Sequence, residues 1–342
     1  MRAIRWGIVS AGLLWGIAAS GCNSRQHDLD VIAYAALDRE FVEPIFDEFR
    51  KESGVTVLAK YDTESTKTVG LAEAIIQEAK RPRCDVFWNN EILHTIRLER
   101  LGLLEEYRSP ADANFPEMYR SPTGAWHALA ARARVLLVNT EKVPLEKLPG
   151  SILDLAAPEW KGRVGIAKPL FGTTATQAAC LFAAWGDEKA KAFFHSLKKN
   201  DIEICAGNKA VAVAVGAGNL AFGLTDTDDA MDEVDKKRPV LIIYPDQHAD
   251  QIGALFIPNT LAIVKGCPHP PAAKMLVDYA LSPAVEERLA VGLSAQIPLG
   301  AQAKLASRLQ MPAGVRQMKV DFGAAADSWE SAKKFLSEEF AR

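Results

Sequence analysis

From residue 31 onward, short apolar runs alternate with amphipathic stretches. Residues 31–36 read as an apolar strand, the polar triplet Asp38, Arg39 and Glu40 interrupts it, and Phe41, Ile45, Phe46 and Phe49 then recur at helical spacing. Gly54 ends that helix, residues 55–59 form a second strand, and residues 63–68 lead into an amphipathic helix over 69–79. Residues 84–88 predict a third strand, which stops at Asn89, Asn90 and Glu91 before a helix through Leu101. Strands alternating with helices predict a parallel sheet with crossover helices. Polar residues gather just after strand ends, at Asp38 and at Asn90 and Glu91, where such sheets bind ligands.

The middle of the chain continues the pattern. Strands are predicted over 135–139, 162–166, 202–205, 240–244 and 255–264. Between and after them come a short helix opening at Ser151, a mostly apolar helix that follows residues 171–175 and runs to Trp185, and helices over 192–199, from Asn208 to Val215, and over 270–280. From Pro298 to the end the pattern reads as largely helical. Thr173 and Thr174 place two hydroxyls at a helix N-terminus, which suits an anion or an oxygen ligand and equally suits plain capping. The sharpest break lies at residues 221–229, where an apolar run ends in Thr225, Asp226, Thr227, Asp228 and Asp229 ahead of a helix over 230–237. Capping needs one Asp, not three. Mutual repulsion makes the cluster unfavourable unless a cation or a helix N-terminus offsets it.

Composition narrows the class. A chain of 342 residues, 49% hydrophobic, has enough apolar content for two cores. A formal net charge of -3, with no basic stripe and no zinc-finger spacing, excludes a nucleic-acid partner. No repeat of 20 to 50 residues and no low-complexity tract is visible, which excludes a solenoid or a disordered chain.

The first 22 residues read as a targeting segment. Arg2 and Arg5 form a positive region, residues 7–19 a short apolar one, and Ala19, Ser20 and Gly21 place small residues directly before Cys22. That order resembles a bacterial lipoprotein signal, with Cys22 lipidated and residues 23–30 a polar tether. An ordinary secretory signal and a signal anchor are the alternatives, although the apolar run is short for a bilayer. Export makes Cys84, Cys180, Cys205 and Cys267 candidates for one or two disulfides, or for four buried thiols; no CxxC spacing indicates zinc. The histidines at 94, 127, 195, 248 and 269 show no paired metal spacing.

Several phrases taken in order resemble one family. They are residues 31–40, Asp85-Val86-Phe87-Trp88-Asn89-Asn90-Glu91, residues 153–163, Gly172-Thr173-Thr174, residues 221–229, Tyr279-Ala280-Leu281-Ser282-Pro283, and Ile297-Pro298. Together they are similar to the family 1 extracellular solute-binding proteins, and among them to the ferric-iron-binding receptors of bacterial ABC importers. The resemblance covers residues 31–299. It implies an α/β, type II periplasmic-binding fold, in which two lobes joined by two hinge strands close on the solute. Chain crossings are expected near 132–137 and 251–255, giving lobe 1 as 31–133 plus 255–305 and lobe 2 as 134–254 plus 306–342.

The family's metal-binding tyrosine pair corresponds to Asp228 and Asp229, so the resemblance implies a site in which carboxylates replace phenolates. Positions matching its anion-holding groups are Glu91, Thr173, Thr174, Asn208 and Asp226, with Arg132 or Arg134 as compensating charges. The expected ligand-binding set is Asp38, Asn90, Glu91, Arg134, Thr173, Thr174, Asn208, Asp226, Asp228 and Asp229, and the expected metal ligands are Asp38, Glu91, Asp228 and Asp229. Such hard oxygen donors suit Fe³⁺, Ca²⁺ or Mn²⁺. They also suit an organic cation such as thiamine or a polyamine, for which Trp88 and Trp126 would supply an aromatic wall. A hydrolase using Asp228 and Asp229 with Glu91 is the third class, disfavoured because adjacent residues on one turn rarely oppose each other. The expectation is a non-enzymatic, lipid-anchored, monomeric receptor in the periplasm or cell envelope, with an ABC permease as partner and a cation such as Fe³⁺ as transported ligand rather than cofactor.

Overall fold

The structure, a computed structural model, describes residues 30–62 and 69–340. Cys22 and the segment before it lie outside the described residues. The chain opens with β1 (Asp30–Ala35), α1 (Arg39–Ser53), β2 (Thr56–Tyr61), α2 (Val69–Gln77), β3 (Val86–Asn89) and α3 (Leu93–Arg100). Helix α1 buries Val42, Ile45, Phe46 and Phe49, one stripe at the spacing of successive turns. It ends where Gly54, at φ 74°, returns its N–H to the Arg50 carbonyl. Strands β1, β2 and β3 pair in parallel, so the turns after β1 and β3 open on the same sheet edge.

The second stretch contains β4 (His127–Asn139), β5 (Val164–Ala167), α4 (Gly172–Trp185), α5 (Asp187–Lys199), β6 (Glu203–Cys205), α6 (Asn208–Gly216), β7 (Phe222–Asp226), α7 (Thr227–Asp235) and β8 (Val240–Ile243). The last comprises β9 (Phe256–Ile263), α8 (Pro270–Ala280), α9 (Pro283–Val291) and α10 (Phe322–Phe340). The strand order β2-β1-β3-β9-β4-β7-β5-β6 runs through β4, which also pairs with β8. Strand β4 pairs with β9 as far as Ala133, opposite Phe256, and with β7 from Arg134, opposite Asp226. A single strand of 13 buried residues therefore belongs to both halves of the molecule.

Three differences from the sequence reading have physical causes. Strand β4 starts eight residues before the predicted 135, because Ala128 to Ala133 pair with β9 although alanine and arginine dilute the apolar signal. The helix after the acidic turn starts at Thr227, not Ala230, so Asp228 and Asp229 occupy its first turn, where the helix dipole favours carboxylates. The stretch from 298 to 321 is irregular rather than helical, and only α10 follows it. Helix α10 buries Phe322, Ala325, Trp329, Ala332, Leu336 and Phe340 and packs on α4, α3 and α5, clamping elements of both halves. The four cysteines at 84, 180, 205 and 267 are unpaired thiols. Among the described residues, no helix is long and apolar enough to cross a membrane.

Candidate functional site

Strand ends deliver the site. Asp38 occupies the N-cap position of α1 shortly after β1, Asn90 follows β3, Lys168 follows β5, and Asp226 closes β7 ahead of Asp228 and Asp229. All six line one partly enclosed pocket, together with Arg132 of β4, Phe41, Phe171, Gly172, Thr173, Gly207 and Asn208. Its cavity volume is about 30 Å³, room for about two water molecules. Oxygens of Asp226, Asp228 and Asp229 all lie within 4.8 Å of one another, a spacing that can hold a metal ion.

Beneath the pocket lies Arg134, completely buried and fully committed. Its Nε donates to Gln177 Oε1 at 2.8 Å, and Nη1 donates to Asp226 Oδ1 at 2.7 Å, to Asn208 Oδ1 at 3.0 Å and to Thr173 Oγ1 at 3.2 Å. Nη2 reaches Thr174 Oγ1 at 3.3 Å. Asn208 Nδ2 donates in turn to Thr173 Oγ1 and Asp226 Oδ2. Asp226 therefore spends its charge on Arg134, and the threonine hydroxyls are tied to neighbouring side chains.

Arg132 sits two residues earlier on the same strand and is met differently. Its Nη1 lies 3.5 Å from Asp228 Oδ2 and its Nη2 donates to Asn259 Oδ1 at 3.1 Å, while Nε has no hydrogen-bond partner among the described residues. Burial lowers the Arg132 pKa, but Asp228, Asp226, Asp229 and Asp38 more than offset it and hold the guanidinium firmly charged. Asn90 is 2% exposed, and its Oδ1 also lacks a hydrogen-bond partner among the described residues. A β-bulge at Ala130, φ 32°, re-aims β4 just before Arg132. Asn259 Nδ2 and Glu286 Oε1 hold its carbonyl and its N–H.

Of the expected ligands, Asp38, Asn90, Thr173, Asn208, Asp226, Asp228 and Asp229 are brought together, whereas Glu91, Arg134 and Thr174 do not line the pocket. Glu91 is a correction. Its carboxylate is completely buried and accepts from Asn89 Nδ2, Leu93 N, His94 N and Thr176 Oγ1, so it caps α3 and ties it to α4 instead of facing a solute. The aromatic wall is a second correction. Trp88 packs edge-on against Phe46 in the core, and Trp126 donates to Glu99 Oε2 at 2.8 Å. Phe41 and Phe171, which sequence reasoning passed over, are the aromatic rings at the pocket. Lys168 was also missed, although its place immediately after an apolar strand was a readable signal.

Comparison with known proteins agrees with this architecture. Residues 95–322 match the family model described as bacterial extracellular solute-binding protein. The Fe(3+)-binding periplasmic protein of Serratia marcescens is 28% identical over 206 residues, 60% of this chain and 59% of that protein. The major ferric iron-binding protein of Neisseria meningitidis is 26% identical over 283 residues, covering 79% of this chain and 81% of that one. Among solved structures, iron-bound HitA from Pseudomonas aeruginosa superposes with a TM-score of 0.80 at 23% identity, over 90% of this chain and 99% of that one. That likeness shows the fold, a two-lobed type II periplasmic-binding architecture whose lobes share hinge strands. With the family model covering two thirds of its length, the chain belongs to the bacterial extracellular solute-binding proteins.

Proposed function

We propose that the protein is the substrate-binding receptor of an ABC importer, exported, anchored to the membrane through lipid on Cys22, and monomeric, and that its cargo is a hard cation. Iron is the first candidate, because the Serratia and Neisseria relatives carry ferric iron in their names. The reading rests on one observation above all. Asp38, from the turn after β1, and the cluster Asp226, Asp228 and Asp229, from the turn after β7, line the same small pocket. Carboxylate oxygens in such a set favour hard cations. Lobe 1 would comprise 31–133 plus 255–305 and lobe 2 134–254 plus 306–342, the hinge lying where β4 changes partners at Ala133 and Arg134.

A family of binding proteins needs capture and release rather than turnover, and the carboxylate trio with Glu91 that a hydrolase would use is not assembled. An organic cation is the second reading, favoured by Phe41 and Phe171 at the pocket. The decisive experiment is Asp228→Asn with Asp229→Asn in one chain. The metal-induced rise in melting temperature should vanish; a rise equal to the wild type's would sink the hard-cation reading.

A further inference from the structure

We infer that Glu40 and Lys209 form an ion-pair latch across the mouth of the cleft, which holds the empty receptor closed; this rests on the lobe boundaries proposed above and on no particular cargo. Lys209 Nζ lies 3.5 Å from Glu40 Oε1, with both side chains about half exposed. Glu40 is the second residue of α1, the helix after β1, and Lys209 is the second residue of α6, the helix after β6. The pair therefore joins residues 31–133 to residues 134–254. Asp38 fixes its place relative to the solute pocket. That residue lines the small pocket with Asp226, Asp228 and Asp229, and it also lines an open groove with Glu40, Tyr61, Asp62 and Lys209. Glu40 and Lys209 line the groove and not the pocket, so they stand on the solvent side of Asp38.

Local structure accounts for Glu40 but not for Lys209. A carboxylate in the first turn of α1 is favoured by the helix dipole, whereas an ammonium in the first turn of α6 opposes it. What offsets that cost lies largely across the cleft. Burial lowers the Lys209 pKa, but Glu40, Asp38, Asp232 and Asp229 more than offset it and hold the ammonium charged. Two of these carboxylates belong to lobe 1 and two to lobe 2, so both lobes share one cation. Arg39, the neighbouring cation on α1, pairs instead with Glu43 at 3.0 Å on its own helix. Parting the lobes would carry Glu40 and Asp38 away and leave Lys209 with Asp229 and Asp232. An exposed pair adds little to folding, yet a two-state closure is biased by any contact made in only one of its states.

The test measures small-angle X-ray scattering of the protein dialysed against a chelator, at low salt so that surface charges are not screened. Lys209→Glu and Glu40→Lys should each enlarge the radius of gyration, shifting the ratio of open to closed forms by about fivefold or more, because each sets like charges across the mouth. Both exchanges in one chain should restore the wild-type radius. The two single variants move the net charge in opposite directions, so an expansion common to both is not a net-charge effect. Wild-type radii in both single variants would overturn the latch, and so would a double exchange as expanded as the single ones. Should a reversal variant fail to fold, Lys209→Gln takes its place: a smaller expansion supports the latch, and a wild-type radius overturns it. An expansion that rotating residues 31–133 plus 255–305 against the rest does not reproduce would instead overturn the lobe boundaries, and the latch with them.

Discussion

Arg132 and Arg134 lie two residues apart on one strand, so they share a face of β4, and both are buried. Arg134 satisfies every arm of its guanidinium with Gln177, Thr173, Thr174, Asn208 and Asp226. Arg132 leaves its Nε without a hydrogen-bond partner among the described residues and meets Asp228 only at 3.5 Å. Native interiors rarely leave such groups unsatisfied. The difference separates two uses of one residue type. Arg134 neutralises Asp226 and fixes the N-termini of α4 and α6 relative to β7, building the floor. Arg132 tunes the charge of the pocket above that floor and stays incompletely bonded where the solute belongs.

The largest expected effect tests the floor. Arg134→Met would leave Asp226 buried without its counter-ion, and breaking such a pair costs about 3–5 kcal/mol. Urea unfolding should show that loss, and adding Asp226→Asn should recover most of it, because the uncompensated charge is then gone. Arg132→Met should cost less, about 2 kcal/mol, since it removes one hydrogen bond to Asn259 and a looser contact to Asp228. It should also raise cation affinity by removing a positive charge from beside the carboxylates. Equal destabilisation by the two substitutions, with no change in cation affinity for Arg132→Met, would erase the distinction between floor and pocket.

Much of this was legible in the sequence because it depends on periodicity. The stripe of Val42, Ile45, Phe46 and Phe49, the Gly54 stop, and the apolar run before Asp226 each obey a local rule, and each element formed where expected. So did the gathering of Asp38 and Asp228 at strand ends. The start of β4 was hidden because Ala128, Ala130, Ala131 and Arg132 lack a strand's apolar signature, and their burial comes from pairing with β9, distant in sequence. Arg134 read as a pocket residue, and Asp226, which does line the pocket, read without its counter-ion, because type and position are visible in a sequence while partners are not. Only the fold brings Thr173, Asn208 and Gln177 around Arg134 and spends their polar groups there.

Glu91 carries the same lesson at smaller scale. A carboxylate directly after a strand end looked like a ligand, yet the local backbone claims it: Leu93 N, and His94 N at 3.0 Å, are unpaired donors of α3's first turn, and the Thr176 hydroxyl at 2.8 Å reaches across from α4. Glu91→Gln keeps the shape, removes the charge that the helix N-terminus favours, and turns an amide donor toward at least one of the donors now satisfied. The expected cost is about 1 kcal/mol in urea unfolding. Cation affinity should be unchanged, because the carboxylate does not line the pocket. A variant that unfolds like the wild type but loses its cation would return Glu91 to the ligand set and move the site toward β3, away from Asp228 and Asp229.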